Sequence, residues 1–174
     1  NSKHTVPMVI RMIIGRGWGQ GPMHSQILDS LFAQIPGLKV IMPTFPKDFK
    51  GMILSAIKDR NPVVILEHRW LHNIKGDVPK KYYLNNINKI KKINNGHDLT
   101  IVANGYNLLE VIELKKILKD EKISFDLFDL NILQPLETNA IINSVKKTGR
   151  ILVIDSGFKN LGIGSEIISR ISES

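Results

Sequence analysis

Short apolar runs alternate with amphipathic stretches along the first part of the chain. Residues 6–11 (VPMVIR) are apolar and β-branched, which predicts a buried strand. Gly15, Gly17, Gly19 and Gly21 follow at every second position, so this stretch is a loop and not a helix interior. Ser25 is placed to cap a helix running to residue 35, with Ile27, Leu28, Leu31, Phe32 and Ile35 on one stripe. Pro36 and Gly37 end it, and residues 38–42 predict a second strand. Phe49, Met52, Ile53, Ala56 and Ile57 recur at i, i+3, i+4, i+7 and i+8, the pattern of a helix with one apolar face. It opens after residues 43–46 and stops at 59–62, before Pro62. Residues 62–67 (PVVILE) give a third strand. This alternation of strand and helix implies right-handed crossovers and a parallel sheet.

From about residue 69 to 97 no period persists, and Asn, Lys, Tyr and Gly dominate. That texture predicts an extended linker with a short strand within 88–93. A second α/β unit follows. Residues 99–103 predict a strand, and 107–119 a helix carrying Leu108, Val111, Ile112, Leu114 and Leu118. Residues 124–130 (SFDLFDL) alternate like a strand. Thr138 is placed to cap a helix that buries Ile141, Ile142 and Val145 and ends at Gly149. A strand at 151–154, a loop at 156–164 and a helix with Ile167, Ile168 and Ile171 complete the chain. The fold class is therefore α/β: two open, mostly parallel units, residues 1–75 and 98–174, joined by a linker at 76–97.

Composition narrows the function classes. The 174 residues are 43% hydrophobic, which argues against wholesale disorder. No apolar run approaches the roughly 18 residues that span a bilayer, so no membrane partner is expected. The polar start, residues 1–5, has no signal-peptide pattern, and the expected compartment is cytoplasmic. Cysteine is absent, which removes disulfides, thiolate metal sites and a thiol nucleophile. The net charge of +8 raises the question of nucleic acid. However, Lys75, Lys80, Lys81, Lys89, Lys91 and Lys92 crowd the linker, which reads as a solvated surface, and no nucleic-acid partner is expected.

Few motifs carry chemistry by themselves. The alternating glycines fail the dinucleotide fingerprint, and neither a P-loop nor a nucleophile elbow occurs. The histidines (His4, His24, His68, His72 and His97) are read as lacking the helical pair of a zinc site. His24 follows the glycine loop, beyond the C-terminal end of the first strand, where open parallel sheets place ligands. There it can exchange a proton near neutral pH or hydrogen-bond an anionic substrate; the plainer alternative is a loop histidine bonded to backbone. The helix end with Asp59 and Asn61 offers oxygens for a hard cation, although both residues also commonly stop helices. Trp18 is a lid anchor or a packing residue. Glu67 and His68 are a paired site or ordinary residues of the sheet rim.

Several stretches resemble the beta subunit of the thiamine-diphosphate-dependent 2-oxo acid dehydrogenases, the pyruvate, branched-chain and acetoin group. They include residues 6–11, Gly21-Pro22-Met23-His24-Ser25-Gln26, 35–40, Lys50-Gly51, 56–63 and Leu66-Glu67-His68. In the second half they include Phe128-Asp129-Leu130, Leu133-Gln134-Pro135-Leu136 and 144–150. The resemblance implies the end of a transketolase-like pyrimidine-binding domain followed by a transketolase C-terminal-like domain that lacks its closing segment. A family subunit is about twice this length, so the chain is expected to be a fragment, inactive alone.

By position, His24 matches the family's active-site histidine, which helps bind the substrate carboxylate and assists acyl transfer. Met8, Ala56, Ile57, Asp59 and Asn61 match ligands of a structural potassium ion, the first three through backbone carbonyls. The implied reaction is oxidative decarboxylation of a 2-oxo acid with acyl transfer to a lipoyl group. Thiamine diphosphate and magnesium serve the complete enzyme, with no cofactor-binding residue and no bound cofactor expected on this fragment. The implied partners are an alpha subunit, a second beta subunit and a lipoyl-bearing acyltransferase. A transketolase-like enzyme acting on sugar-type donors, or a non-catalytic assembly domain, are the alternatives. Asn131 stands where the family often has Arg, Asp155-Ser156-Gly157 where a His-Glu-Ala-like stretch is common, and His72 where many have Tyr.

Overall fold

The computed structural model describes residues 5–174; His4 and the three residues before it lie outside them. Two four-stranded sheets form the frame. The first combines β1 (Val9–Ile14), β2 (Lys39–Ile41), β3 (Val63–His68) and β7 (Ile132–Gln134), in the order β1-β3-β2-β7. The second combines β4 (Lys91–Asn94), β5 (Leu99–Ala103), β6 (Phe125–Asp129) and β8 (Ile151–Ile154), in the order β4-β6-β5-β8. In each sheet three strands are parallel, and the fourth is antiparallel at an edge. The expected mixed, mostly parallel architecture is present, and the helices pack on its faces. These are α1 (Gly21–His24), α2 (Asp29–Ala33), α3 (Pro46–Lys58), α4 (Gly105–Asp120), α5 (Asn139–Thr148) and α6 (Ile163–Ser172).

β7 stitches the halves together. After β6 the chain leaves the second sheet, and three residues later pairs with β2 of the first. On the way the Leu130 N–H donates to the Ala103 carbonyl and the Met42 N–H to that of Asn131. One apolar core accordingly joins Val40, Val64 and Leu66 of the first sheet to Val102, Phe128, Ile141 and Ile167. The linker is also less free than its composition suggests. Lys50 on α3 donates to the carbonyls of Pro79, Lys80 and Lys81, and Ser55 to that of Asn85. Lys91 and Lys92 are not merely solvated: they pair with Asp48 and Asp126.

Several expectations are corrected. β1 begins at Val9, where pairing with Val63 starts, and is an edge strand that leaves Ile10 and Ile13 exposed, so it is not buried. The helix expected from Ser25 is two short pieces. Ser25 ends α1, α2 starts at Asp29, and Leu28, Leu31 and Ile35 are exposed. The alternating stretch around β6 is buried on both faces, because β4 and β5 flank it within the sheet and helices cover it. The patternless stretch starting at Arg69 contains a 3-10 turn, Arg69–Asn73. Elsewhere the reading is close: β5 and β8 occupy 99–103 and 151–154, and Gly149, at φ 69°, closes α5 with its N–H on the Val145 carbonyl. Among the described residues no helix is long and apolar enough to cross a membrane.

Candidate functional site

The C-terminal ends of parallel β1 and β3 meet the start of α4 and the 3-10 turn. The chain leaving β1 passes through the glycine loop, where Gly15, Gly17, Gly19 and Gly21 all have φ between 67° and 139°. Side chains rarely adopt such angles, so the alternating glycines let the chain fold back on itself. The Gly15 N–H reaches the Gln26 carbonyl and closes the loop. Two side chains tie the loop to the rest of the protein. The Arg16 guanidinium donates to the Gly157 carbonyl (2.9 Å), and Arg69 lies over the Trp18 ring, 5.0 Å from its centre.

Behind this loop lies a cleft of about 480 Å³ lined by Arg11, Thr44, Phe49, Glu67, His68 and His72 among others. Glu67 is its anionic centre. Arg11 holds it from two sides, Nε to Oε1 at 2.6 Å and Nη2 to Oε2 at 3.0 Å, a fork that fixes both groups in one plane. His72 Nε2 stands 3.6 Å from Glu67 Oε2. The other His72 nitrogen, Nδ1, is 3.2 Å from Arg69 Nη1. Arginine only donates, so Nδ1 must accept and the proton sits on Nε2, facing Glu67. His68 is held the same way: its Nδ1 accepts from the Trp70 N–H, and its ring stacks on Tyr106 at 5.8 Å. Burial, with His72 nearby, pushes the His68 pKa down, so His68 is neutral. His68 and His72 do stand four apart, but on a strand end and a 3-10 turn with their Nδ1 atoms occupied. Among the described residues no cluster of three or more His, Asp or Glu is arranged for a metal ion.

The structure therefore brings Glu67 and His68 together with Arg11, which the sequence did not signal, and with His72, which it marked only as a departure from the family pattern. Trp18 packs under Arg69 with its indole N–H buried and without a partner among the described residues. His24 ends α1 with an exposed ring, has no hydrogen-bond partner among the described residues, and lines neither this cleft nor the one beside Trp18.

The oxygens assigned to potassium lie near the opposite end of β3. The Met8 carbonyl accepts from the Val63 N–H, and the Ala56 carbonyl from the Asp59 N–H. Asp59 Oδ1 accepts from the Asn61 backbone and side-chain amides, and Oδ2 sits 2.5 Å from Lys39 Nζ. Burial would raise the Asp59 pKa, but Lys39 and Asn61 outweigh it and hold the carboxyl ionised. The donor set is all oxygen, the kind a hard cation takes. Lys39 already offsets its one carboxylate, so a cation here would lean on the carbonyls.

A further carboxyl is out of the ordinary. Asp129, at the end of β6, is fully buried. Thr44 Oγ1 donates to its Oδ1 at 3.2 Å, while Oδ2 and the nearby-in-sequence Asn131 Oδ1 have no partners among the described residues. Burial pushes its pKa up to about 8, against the Thr44 hydroxyl, with Asp48 adding to the rise and Lys91 opposing it. A folded pKa above the unfolded one means stability present in full below about 4 and lost as the pH rises through 8. Asp129→Asn keeps the shape without the charge. The variant should be more stable than the parent chain by ~1–3 kcal/mol or more at pH 9, and little different at pH 4. Urea denaturation at both pH values decides; equal losses for both proteins would refute the neutral carboxyl.

Comparison with known proteins places this geometry. Residues 88–174 match the family model "Transketolase, C-terminal domain", and residues 1–74 match "Transketolase, pyrimidine binding domain". The chain is 41% identical over 170 residues to the pyruvate dehydrogenase E1 component subunit beta of Acholeplasma laidlawii, covering 97% of this chain and 52% of that protein. It is 34% identical over 171 residues to the acetoin:2,6-dichlorophenolindophenol oxidoreductase subunit beta of Cupriavidus necator, covering 98% and 51%. A solved structure described as "Split gene transketolase, inactive beta4 tetramer" shares the fold, with a TM-score of 0.80 at 22% identity over 98% of this chain and 54% of that one. The chain thus spans about half the length of the curated relatives it matches. With both of its domains matched in order, the chain belongs to the transketolase family.

Proposed function

We propose that this chain is part of a beta subunit of a thiamine-diphosphate-dependent 2-oxo acid dehydrogenase. The observation that carries the reading is 41% identity across 97% of the chain to a pyruvate dehydrogenase E1 beta subunit. In this reading residues 1–75 and 98–174 are the two domains, 76–97 is the linker, and the enzyme works in the cytoplasm with an alpha subunit, a second beta subunit and a lipoyl-bearing acyltransferase. Thiamine diphosphate, with magnesium, supplies the carbanion-stabilising chemistry when bound. This chain supplies His24. An exposed imidazole unclaimed by the described part of its own chain suits hydrogen bonding to a substrate carboxylate and proton exchange during acyl transfer. Potassium would be held by the carbonyls of Met8, Ala56 and Ile57 with Asp59 and Asn61.

The test is to co-express the full-length gene with its neighbouring alpha-type gene. Decarboxylation is then assayed over pyruvate, branched-chain 2-oxo acids and sugar donors. Turnover of a 2-oxo acid that requires thiamine diphosphate is the expected result. Activity confined to a sugar donor would replace this reading with a transketolase-like one, and an intact complex without cofactor binding would indicate an assembly role. Exchanging potassium for choline should lower the thermal midpoint of the complex; an unchanged midpoint removes the potassium assignment.

A further inference from the structure

Nearly all of the net charge sits on one part of the chain. Residues 43–92 hold eleven Lys and Arg against four Asp and Glu, which is +7 of the total +8. Three of those four acids are already paired, Asp48 with Lys91, Asp59 with Lys39 and Glu67 with Arg11. Lys47, Lys50, Lys58, Lys80 and Lys81 have no carboxylate partner among the described residues.

Principles of packing gather these five lysines on one surface, because the linker is strapped onto α3. The Lys50 ammonium donates to the carbonyls of Pro79, Lys80 (3.2 Å) and Lys81 (3.1 Å) and lies 5.3 Å from the centre of the Tyr83 ring. The Tyr83 hydroxyl donates to the Lys47 carbonyl (2.6 Å), and the Ser55 hydroxyl to that of Asn85 (2.7 Å). Near the end of α3, Lys58 stands over the Tyr82 ring at 5.1 Å. A Cβ on Gly51 would collide with the Asn85 amide and the Tyr83 ring, so the strap lies directly on the helix. A surface that only had to stay wet needs none of this order. Here Lys50 is turned to backbone carbonyls, which fixes where the side chains of Lys80 and Lys81 leave the surface. Both residues are exposed, as are Lys47 and Lys58.

The same surface carries apolar groups. Ile57 is 62% exposed, Tyr82 58%, Leu84 47% and Val78 40%. Charge and side-chain chemistry together select the kind of partner. A nucleic acid would need free aromatic faces for its bases, but both tyrosine rings already carry an ammonium, and the aliphatic side chains have nothing to meet on a phosphate backbone. A bilayer takes up apolar residues gathered on one face of a helix, whereas these are spread singly among charges. Carboxylates with apolar side chains between them, presented by a protein, match both features.

We propose that α3 and the linker strapped along it form a docking surface for an acidic protein partner of the assembled enzyme. Lys47, Lys58, Lys80 and Lys81 supply the charge, and Ile57, Tyr82 and Leu84 the apolar contacts. The inference is independent of the proposed reaction, because it is read from binding without turnover.

The experiment measures binding of a fluorescent peptide of repeating Glu-Glu-Leu to the full-length protein with its partner. A single-stranded oligonucleotide and vesicles rich in anionic phosphatidylglycerol are measured beside it. The peptide should bind at physiological salt and weaken as salt screens the charges. Lys80→Glu with Lys81→Glu should weaken it by at least about tenfold, since attraction becomes repulsion at two positions. Both side chains are exposed, so the thermal midpoint should not move. Lys116→Glu with Lys119→Glu on α4 changes the net charge equally and should leave binding within about twofold. A peptide Kd weaker than about 1 mM, or equal losses in the two double variants, would overturn the docking surface. Tighter binding of the oligonucleotide or the vesicles, lost in Lys80→Glu with Lys81→Glu, would overturn the choice of a protein partner.

Discussion

In the assembled enzyme, His24→Ala should lower kcat/KM for the 2-oxo acid by about 10²- to 10⁴-fold, the span of one positioned acid–base group. The loss should fall mainly on kcat, because a proton partner acts in the transition state more than in ground-state binding. Stability should stay within about 0.5 kcal/mol, as for other surface substitutions. The His24 ring is exposed, ends a four-residue helix and bonds nothing among the described residues, so truncation removes no packing. That combination separates a chemical role from a structural one. The measurement is steady-state kinetics beside thermal unfolding of the same preparations. Activity within a few-fold of the parent enzyme would strip His24 of its role, whatever the substrate. Loss of activity together with a lowered midpoint would make it a structural residue.

His24 was singled out by a local signal: a glycine run ahead of a helical pattern and a resemblance both point to one position. The strands β5 and β8 were legible for a similar reason, since four or five apolar residues between polar ones leave little choice. β1 was misjudged because burial of a strand depends on which neighbours it acquires, and β1 acquires one. The α2 region misled more plainly. Its apolar stripe is real, yet Leu28, Leu31 and Ile35 face outward, while the polar Asp29 is buried close to Gly157 of the loop after β8. No window of sequence around residue 29 contains residue 157. β7 was missed because three residues carry no period, and its partner is some ninety residues upstream in β2. The Arg11–Glu67–His72 cluster was invisible on the same grounds, since Arg11 reaches Glu67 only through the parallel pairing of β1 with β3. Local chemistry is written in the sequence; the partners of buried charges are written in topology.

Asp126→Ala should cost about 3 kcal/mol at pH 7, near the low end of the ~3–5 kcal/mol for breaking a buried ion pair. The carboxyl is fully buried, and its Oδ2 accepts from Lys147 (2.7 Å), Lys92 (2.8 Å) and Ser144 (2.6 Å), while Oδ1 accepts the Gly96 N–H. Ser144 continues through Thr100 to Thr148, so the network fastens β4, β5, β6 and α5 together. Gly96 is fixed there by space as well: a Cβ on it would meet the Phe125 nitrogen at 2.0 Å. Removing the carboxyl leaves two ammonium groups and a backbone N–H without their acceptor. Lys147 and Lys92 are only part-buried and can turn toward water, which is why the low end of the range applies. Burial alone would raise the Asp126 pKa, but Lys147, Lys92, Ser144 and Gly96 outweigh it and hold it well below the carboxylate range. A depressed folded pKa gives stability that is present above the ordinary carboxylate pKa and lost as the pH falls through the folded one. The penalty of the substitution should therefore be full at pH 7 and shrink as acid titrates the parent carboxyl. Urea denaturation of both proteins at pH 7 and at pH 3 or below measures it. A loss under about 1 kcal/mol at pH 7 would mean that the pairs behave like exposed ones, because exposed ion pairs contribute no more than that. A penalty that does not shrink in acid would assign the loss to packing, not charge.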